Sequence, residues 1–146
     1  AKFPNPRMLS SNNETNGQIR YLSRFHDLHL EPMVRYFFQF KDKSDNLEEL
    51  LLLGFNNLQI KLDIFENILK KNKYIAADFL SLADCGLPSF FALCEIFKIH
   101  FKKNLTYGIK VKRYFNFLKK DNFLNSCYEE YYKTALEWSK NKLVTM

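Results

Sequence analysis

Glycine and cysteine are scarce in this chain, with four glycines and three cysteines among 146 residues. So few glycines leave little room for a phosphate-cradling loop, and none of the G-x-x-x-x-G-K, G-x-G-x-x-G, G-x-S-x-G or H-E-x-x-H motifs occurs. An odd number of cysteines without a C-x-x-C pair argues against a disulfide framework and against a structural zinc site. On one helix Cys85 and Cys94 would lie about 13 Å apart at roughly 1.5 Å per residue, beyond bonding distance of each other. The thiols are therefore expected to be buried and unreactive. Long apolar runs are missing too: nothing reaches the roughly eighteen residues needed to span a bilayer, and no basic start followed by a short apolar core marks a secretion signal. These absences lead to the expectation of a cytoplasmic protein without a membrane partner.

What is present is ordinary globular composition, 47% hydrophobic and 26% charged, in a length that suits one compact core. The net charge of +6 comes with many Lys, Asn, Ile, Phe and Tyr, a bias that an AT-rich coding sequence produces by itself. Residues 1–13, rich in Pro, Ser and Asn, read as a linker, and the chain is expected to begin inside a larger protein. A first helix is predicted from about Glu14 to Phe40. Its inward stripe runs through Ile19, Leu22, Phe25 or His26, His29, Met33, Tyr36 or Phe37 and Phe40, with a kink at Pro32, which cannot bond to Leu28. Arg20, Arg24, Asp27, Glu31 and Arg35 make the charged outer side. Asp45 and Glu48 have the spacing of a capping box, followed by a second helix to about Asn72 with Leu47, Leu51, Phe55, Leu58, Leu62, Phe65 and Leu69 on one face. Gly54 within it suggests a close neighbour.

The strongest local signal is Leu80-Ser81-Leu82-Ala83-Asp84. Ser81 is placed to cap from outside and Asp84 to bond back to the Ser81 N–H, with Leu80 and Cys85 as an apolar staple. The run from Leu82 to Ile99 is apolar in nearly every direction, so a buried central helix is predicted, bent at Pro88. Two further helices, about Tyr107–Lys119 and from near Asp121 onward, complete an all-α bundle of about five helices, with no strand alternation and no repeat.

Two chemistries compete with a purely structural reading. His26-Asp27-Leu28-His29 could offer two imidazoles to a metal, but no further ligand is placed by sequence, so no metal is expected. Lys70-Lys71, Lys102-Lys103, Lys110, Lys112-Arg113 and Lys119-Lys120 could form a basic surface, yet they fall mainly at predicted helix ends and turns and no reader motif accompanies them. Nucleic acid is therefore not the expected partner.

Phe79-Leu80-Ser81-Leu82-Ala83-Asp84-Cys85 resembles the Ser/Thr-x-x-Asp capping box that opens the central helix of the C-terminal domain in the glutathione S-transferase superfamily, bacterial members included. Phe3-Pro4-Asn5-Pro6-Arg7-Met8-Leu9 resembles the end of that family's interdomain linker. Two departures stand out: Ala76-Ala77 where the family usually has Gly, and the inclusion Gly86-Leu87-Pro88. The resemblance implies a C-terminal helical domain over residues 14–146, with the thioredoxin-like N-terminal domain apparently absent. It implies glutathione as co-substrate, bound mainly by that other domain, a hydrophobic electrophile bound by the helices, and a homodimer. The chain alone is then expected to be inactive, with no catalytic or cofactor-binding residue of its own. His29, in Asp27-Leu28-His29, is similar to a histidine that faces the cleft in bacterial members, and Phe25 and Met33 share its face, so these three are the candidate substrate-binding residues. The same fold also serves as a non-enzymatic module in translation factors, aminoacyl-tRNA synthetases and RNA-polymerase-associated stringent starvation proteins. Asp121-Asn122-Phe123-Leu124-Asn125-Ser126 is similar to the tail of the last group.

Overall fold

The computed structural model describes residues 7–144, and among them every regular element is helical. The stretch Phe3–Pro6 of the linker resemblance lies outside the described residues. From Arg7 to Asn12 the chain runs along the start of the central region, where the Met8 carbonyl accepts from the Leu82 N–H at 3.0 Å.

The first arm is not one helix. Helix α1 spans Asn13–Phe25 and is capped by Asn12, whose side-chain oxygen accepts from the Thr15 N–H at 2.9 Å. A single π turn, His26–Leu30, follows, then the short helix α2, Glu31–Arg35, and a 3-10 turn, Tyr36–Gln39. Pro32, at the start of α2, has no N–H to give to Leu28, and the chain absorbs the defect one turn earlier by bonding the Glu31 N–H to the His26 carbonyl, five residues back. The expected kink is thus a change of helical pitch, and it rotates the inward face: His26 and Leu30 are buried while His29 is exposed. His29 therefore does not belong to the inward stripe.

Helix α3, Leu47–Ile68, buries all seven residues of its predicted stripe, Leu69 included although it lies just past the helix. The Asp45–Glu48 box does not form. The Leu47 N–H bonds to the Ser44 carbonyl, Asn46 takes the cap position without a side-chain bond, and Glu48 pairs with Lys103 instead. The helix stops before Asn72 because Leu69 turns extended and its carbonyl accepts from Lys110 Nζ at 2.8 Å. Gly54 meets the expected close neighbour, the Tyr36 ring: a Cβ there would sit 2.6 Å from Tyr36 Cε1.

Ser81 and Asp84 stand as a capping box, but it opens a 3-10 turn, Leu82–Asp84, and not the central helix directly. Helix α4, Leu87–His100, starts after Gly86 with Pro88 in its first turn, where a missing N–H costs nothing. Pro88 thus opens the helix and does not interrupt it. Nine of the fourteen residues of α4 are buried and Ile99 faces out, while in the turn before it Leu82 is exposed and so is Cys85, expected to staple the turn. Phe37 joins the arm to this helix through Phe97, at 5.1 Å between ring centroids, and to α3 through Phe55, at 4.6 Å.

Helix α5, Ile109–Leu118, has no acidic residue in its first turn, so its positive end is served from another helix. Glu66 of α3 accepts from the N–H groups of Lys110 and Val111 at 3.0 and 2.9 Å. Gly108 makes room for this, since a Cβ there would lie 2.5 Å from Glu66 Oε2. Helix α6, Asn122–Lys142, begins at Asp121, whose carboxylate accepts from Phe123 and Leu124 N–H. It packs along α4. Beyond it the Val144 N–H bonds to the Phe40 carbonyl, and His100 Nε2 donates to the Val144 carbonyl, both at 2.9 Å, so the end of the last helix is fastened to the end of the first arm.

Asp84 is completely buried and accepts four hydrogen bonds. Its Oδ1 takes the Ile75 N–H at 3.0 Å and the Tyr114 hydroxyl at 2.8 Å; its Oδ2 takes the Ser81 N–H and hydroxyl, both at 2.9 Å. Removing that carboxylate strands donors from three segments. Asp84→Ala is expected to cost about 3 kcal/mol or more, and Ser81→Ala, which removes one donor, about 1–2 kcal/mol. Equal denaturant midpoints for the two variants would contradict this ranking.

Burial raises the phenols of Tyr107, Tyr114 and Tyr128 above the ordinary value of 10.0, with the Asp84 charge adding to the rise at Tyr114. The unfolded chain would release these protons near pH 10 while the folded chain keeps them. Stability is therefore insensitive to them below that pH and falls as pH rises above it. Chemical denaturation at rising pH should show midpoints dropping between about pH 10 and 12, with a shallower drop for Tyr114→Phe; an identical slope in that variant would exclude Tyr114 as a contributor.

Candidate functional site

Of the three residues read from sequence, the structure brings two together. Phe25 ends α1 as a buried ring lying parallel to Phe65 of α3, 5.8 Å between centroids, and its other neighbour is the His29 ring at 4.9 Å. Both line a shallow groove of about 290 Å³ with Tyr21, Arg24 and Leu28. Met33 does not line it and packs half-buried against the core edge. Leu28 and Tyr21 are 55% and 50% exposed, so the groove offers an apolar surface open to water, with one imidazole and one guanidinium at hand. Such a surface can hold an apolar molecule and orient one polar group of it, but it cannot exclude solvent.

A second hollow lies where the first arm meets the last helix. Phe38 of the 3-10 turn and Tyr131, Thr134, Ala135 and Trp138 of α6 line a smaller, open pocket of about 210 Å³. Phe38 and Trp138 lie 4.6 Å apart, tilted by 35°, and the Phe38 ring meets Phe97 of the central helix at 86°, which fixes its plane. Arg35 sits 5.2 Å above Phe38 and pairs with Glu31, whose hydrogen bond chiefly holds the guanidinium pKa above its ordinary value. Three aromatic rings with the hydroxyls of Thr134 and Tyr131 suit a small flat apolar ligand. Sequence reading passed over Phe38 and assigned no pocket to Tyr131 or Trp138. The available signals were the single tryptophan and the adjacent Phe37-Phe38, one ring of which must face away from the core.

The histidines of the His26–His29 stretch diverge. The buried His26 bonds through Nδ1 to Asp27 at 3.0 Å, its Nε2 has no hydrogen-bond partner, and its ring meets Phe90 edge to face. Gly86 lets it lie there, since a Cβ at that position would be 2.7 Å from both ring nitrogens. The Gly86-Leu87-Pro88 inclusion thereby has a packing role. Among the described residues no three His, Cys, Asp or Glu side chains converge as a metal would require.

Nor does any cysteine have the surroundings of an activated thiolate. Cys94 is buried, and burial pushes its thiol well up; Cys85 is raised mainly by its partial burial and then by Asp84. Cys85 and Cys127 are exposed, so the expectation of uniformly buried thiols holds for Cys94 alone.

A buried central helix behind a capped 3-10 turn, with helices before and after it and ligand-sized hollows along the first arm, defines a helical ligand-pocket domain. A model of the glutathione S-transferase C-terminal domain matches residues 23–120, and the chain belongs to that family. Among solved structures, a diazinon-metabolizing glutathione S-transferase from the silkworm, Bombyx mori, is similar at a TM-score of 0.65 and 20% identity, over 90% of this chain and 60% of that one. At that identity the likeness is one of fold, and the chain spans about three fifths of the silkworm protein. A search of curated proteins gave no match.

Because Trp138 is the only tryptophan, occupancy of the aromatic cavity has a direct readout. A flat apolar ligand such as a naphthalene derivative should quench or shift the emission saturably, and Phe38→Ala should weaken that response about tenfold. An unaltered titration in the variant would place the ligand elsewhere.

Proposed function

We propose that this chain is the substrate-pocket and dimerisation domain of a glutathione S-transferase, cytoplasmic, and active only when joined to a glutathione-binding domain. The observation that carries this reading is a pair of aromatic hollows along the first arm without an activated nucleophile beside either among the described residues. The chain can hold a hydrophobic electrophile, whereas ionising and presenting the glutathione thiol falls to other residues. Family membership and the length of the silkworm protein relative to this chain support the same division. That protein is described as diazinon-metabolizing, in keeping with a small hydrophobic electrophile here. A homodimer has support in Leu53, Ile60 and Ile64, which remain exposed along one side of α3. No helix among the described residues is long and apolar enough to cross a membrane.

Within this scheme the chain's own residues position the electrophile. Phe38, Tyr131 and Trp138 supply apolar walls, and desolvating the electrophile there brings its reacting carbon against a thiolate held by the partner domain. His29, exposed beside Phe25, acts on polar substituents of substrates lying in the open groove.

Glutathione conjugation of an aromatic halide should proceed at the uncatalysed rate with the purified 146-residue chain. The protein that carries the glutathione-binding domain should turn it over saturably. In that protein His29→Ala should alter the catalytic constants while shifting stability by less than about 1 kcal/mol, because an exposed ring loses little packing. Saturable turnover by the chain alone would refute the division of labour. An inactive joined protein would instead favour the non-enzymatic module.

A further inference from the structure

Helix α5 has a second face that the bundle does not use. Val111, Tyr114 and Leu118 point inward, while Ile109, Lys112, Arg113, Asn116, Phe117 and Lys120 recur at spacings of three and four on the outer side and line the largest of the described hollows, about 550 Å³. At about 1.5 Å per residue this face is roughly 16 Å long. Ile109 is 86% exposed at one end, and Phe117 is half-buried with its ring at right angles to Tyr74, 5.0 Å away.

The charges on this face are unlike the other lysines of the region. Lys110 is spent on the Leu69 carbonyl and Lys119 on Glu129, whereas Lys112, Arg113 and Lys120 make no ion pair or side-chain hydrogen bond among the described residues. Lys120 follows the C-terminus of α5, where the macrodipole welcomes a cation. Lys112 and Arg113 lie in mid-helix, beyond the first turn where the dipole acts, and Glu66 near the helix start is committed to the backbone. Cations without a carboxylate partner among the described residues, flanking the exposed Ile109 and the half-buried Phe117, complement a ligand that brings carboxylates around an apolar stripe.

We propose that the outer face of α5 is a docking surface for an acidic amphipathic segment of another protein, with apolar side chains against Ile109 and Phe117 and carboxylates toward Lys112, Arg113 and Lys120. A nucleic-acid strand fits less well. The face offers it cations but no free aromatic plane on which a base could stack, since Phe117 is packed against Tyr74 and Ile109 has no ring. This surface is independent of the transferase reading, because none of its residues lines either hollow of the first arm.

The test is fluorescence anisotropy of the whole chain with a labelled helical peptide of about sixteen residues, built from Leu and Glu so that leucines form one stripe with glutamates on either side. The comparison probes are an all-Glu peptide of equal length and a labelled oligo(U) RNA. The amphipathic peptide should bind saturably, about tenfold tighter than the all-Glu peptide, and more weakly as salt is raised. Lys112→Glu combined with Arg113→Glu should weaken it about tenfold or more, and Ile109→Ser should weaken it with the charges intact, while Lys70→Glu combined with Lys71→Glu leaves it unchanged. All four positions other than Ile109 are exposed cations, and an unchanged thermal midpoint will show that each variant is folded. No saturable binding below about 1 mM, binding indifferent to the charge reversal at Lys112 and Arg113, or oligo(U) binding tighter than the peptide through these same residues would overturn the proposal.

Discussion

The Asp84 carboxylate ties together three stretches of chain. It holds the Ser81 turn that precedes the central helix, the loop at Ile75 that leaves α3, and α5 through Tyr114. A buried carboxylate without a cation beside it is costly, and here both oxygens are saturated by donors whose own burial would otherwise go uncompensated. The stability of the turn and the position of α5 are therefore one problem and not two.

Other junctions follow the same pattern, in which a defect in one element is settled by a neighbour. Pro32 removes a backbone donor, and the π turn His26–Leu30 answers it by changing the pitch upstream. That turn drives His26 inward, and Gly86 opens the space for its ring at the entrance to α4. The start of α5 lacks an acidic residue, so Glu66 reaches over from α3 through the gap at Gly108. Each repair involves a residue that looks unremarkable in its own element and becomes intelligible only beside its partner.

This explains what could be read in advance. The stripe of α3 was legible to the last residue because a single surface buries it, and the apolar excess of Leu82–Ile99 announced an enclosed helix, although Leu82 and Ile99 at its two ends face out. Ser81 and Asp84 were legible because a box is local. The Asp45–Glu48 spacing is equally local and failed, since Ser44 closed the turn first and Glu48 found Lys103. His29 was misplaced because helical spacing assumes a constant pitch, and one π turn carried the inward position expected of it to Leu30. The Phe38–Trp138 hollow left only the lone tryptophan and the Phe37-Phe38 pair as traces in the sequence, since its walls come from segments about a hundred residues apart.

The division between inside and outside has a consequence for chemistry. Polar groups of the interior are turned toward one another: Asp84 with Tyr114, and Glu95 with Tyr107 and Lys98. Burial raises the interior phenols and the Cys94 thiol, so these groups stay protonated well above neutral pH. What the fold contributes is surface held in place by that inert core: the groove beside His29, the walls around Trp138, and the cationic outer face of α5. Each faces solvent and rests on a ring or helix that is itself anchored, Phe25 on Phe65, Phe38 on Phe97, and α5 on Asp84 and Glu66. Change at these surfaces leaves the interior network intact, so one helical core can carry the proposed electrophile pocket and the proposed docking face without either compromising the other.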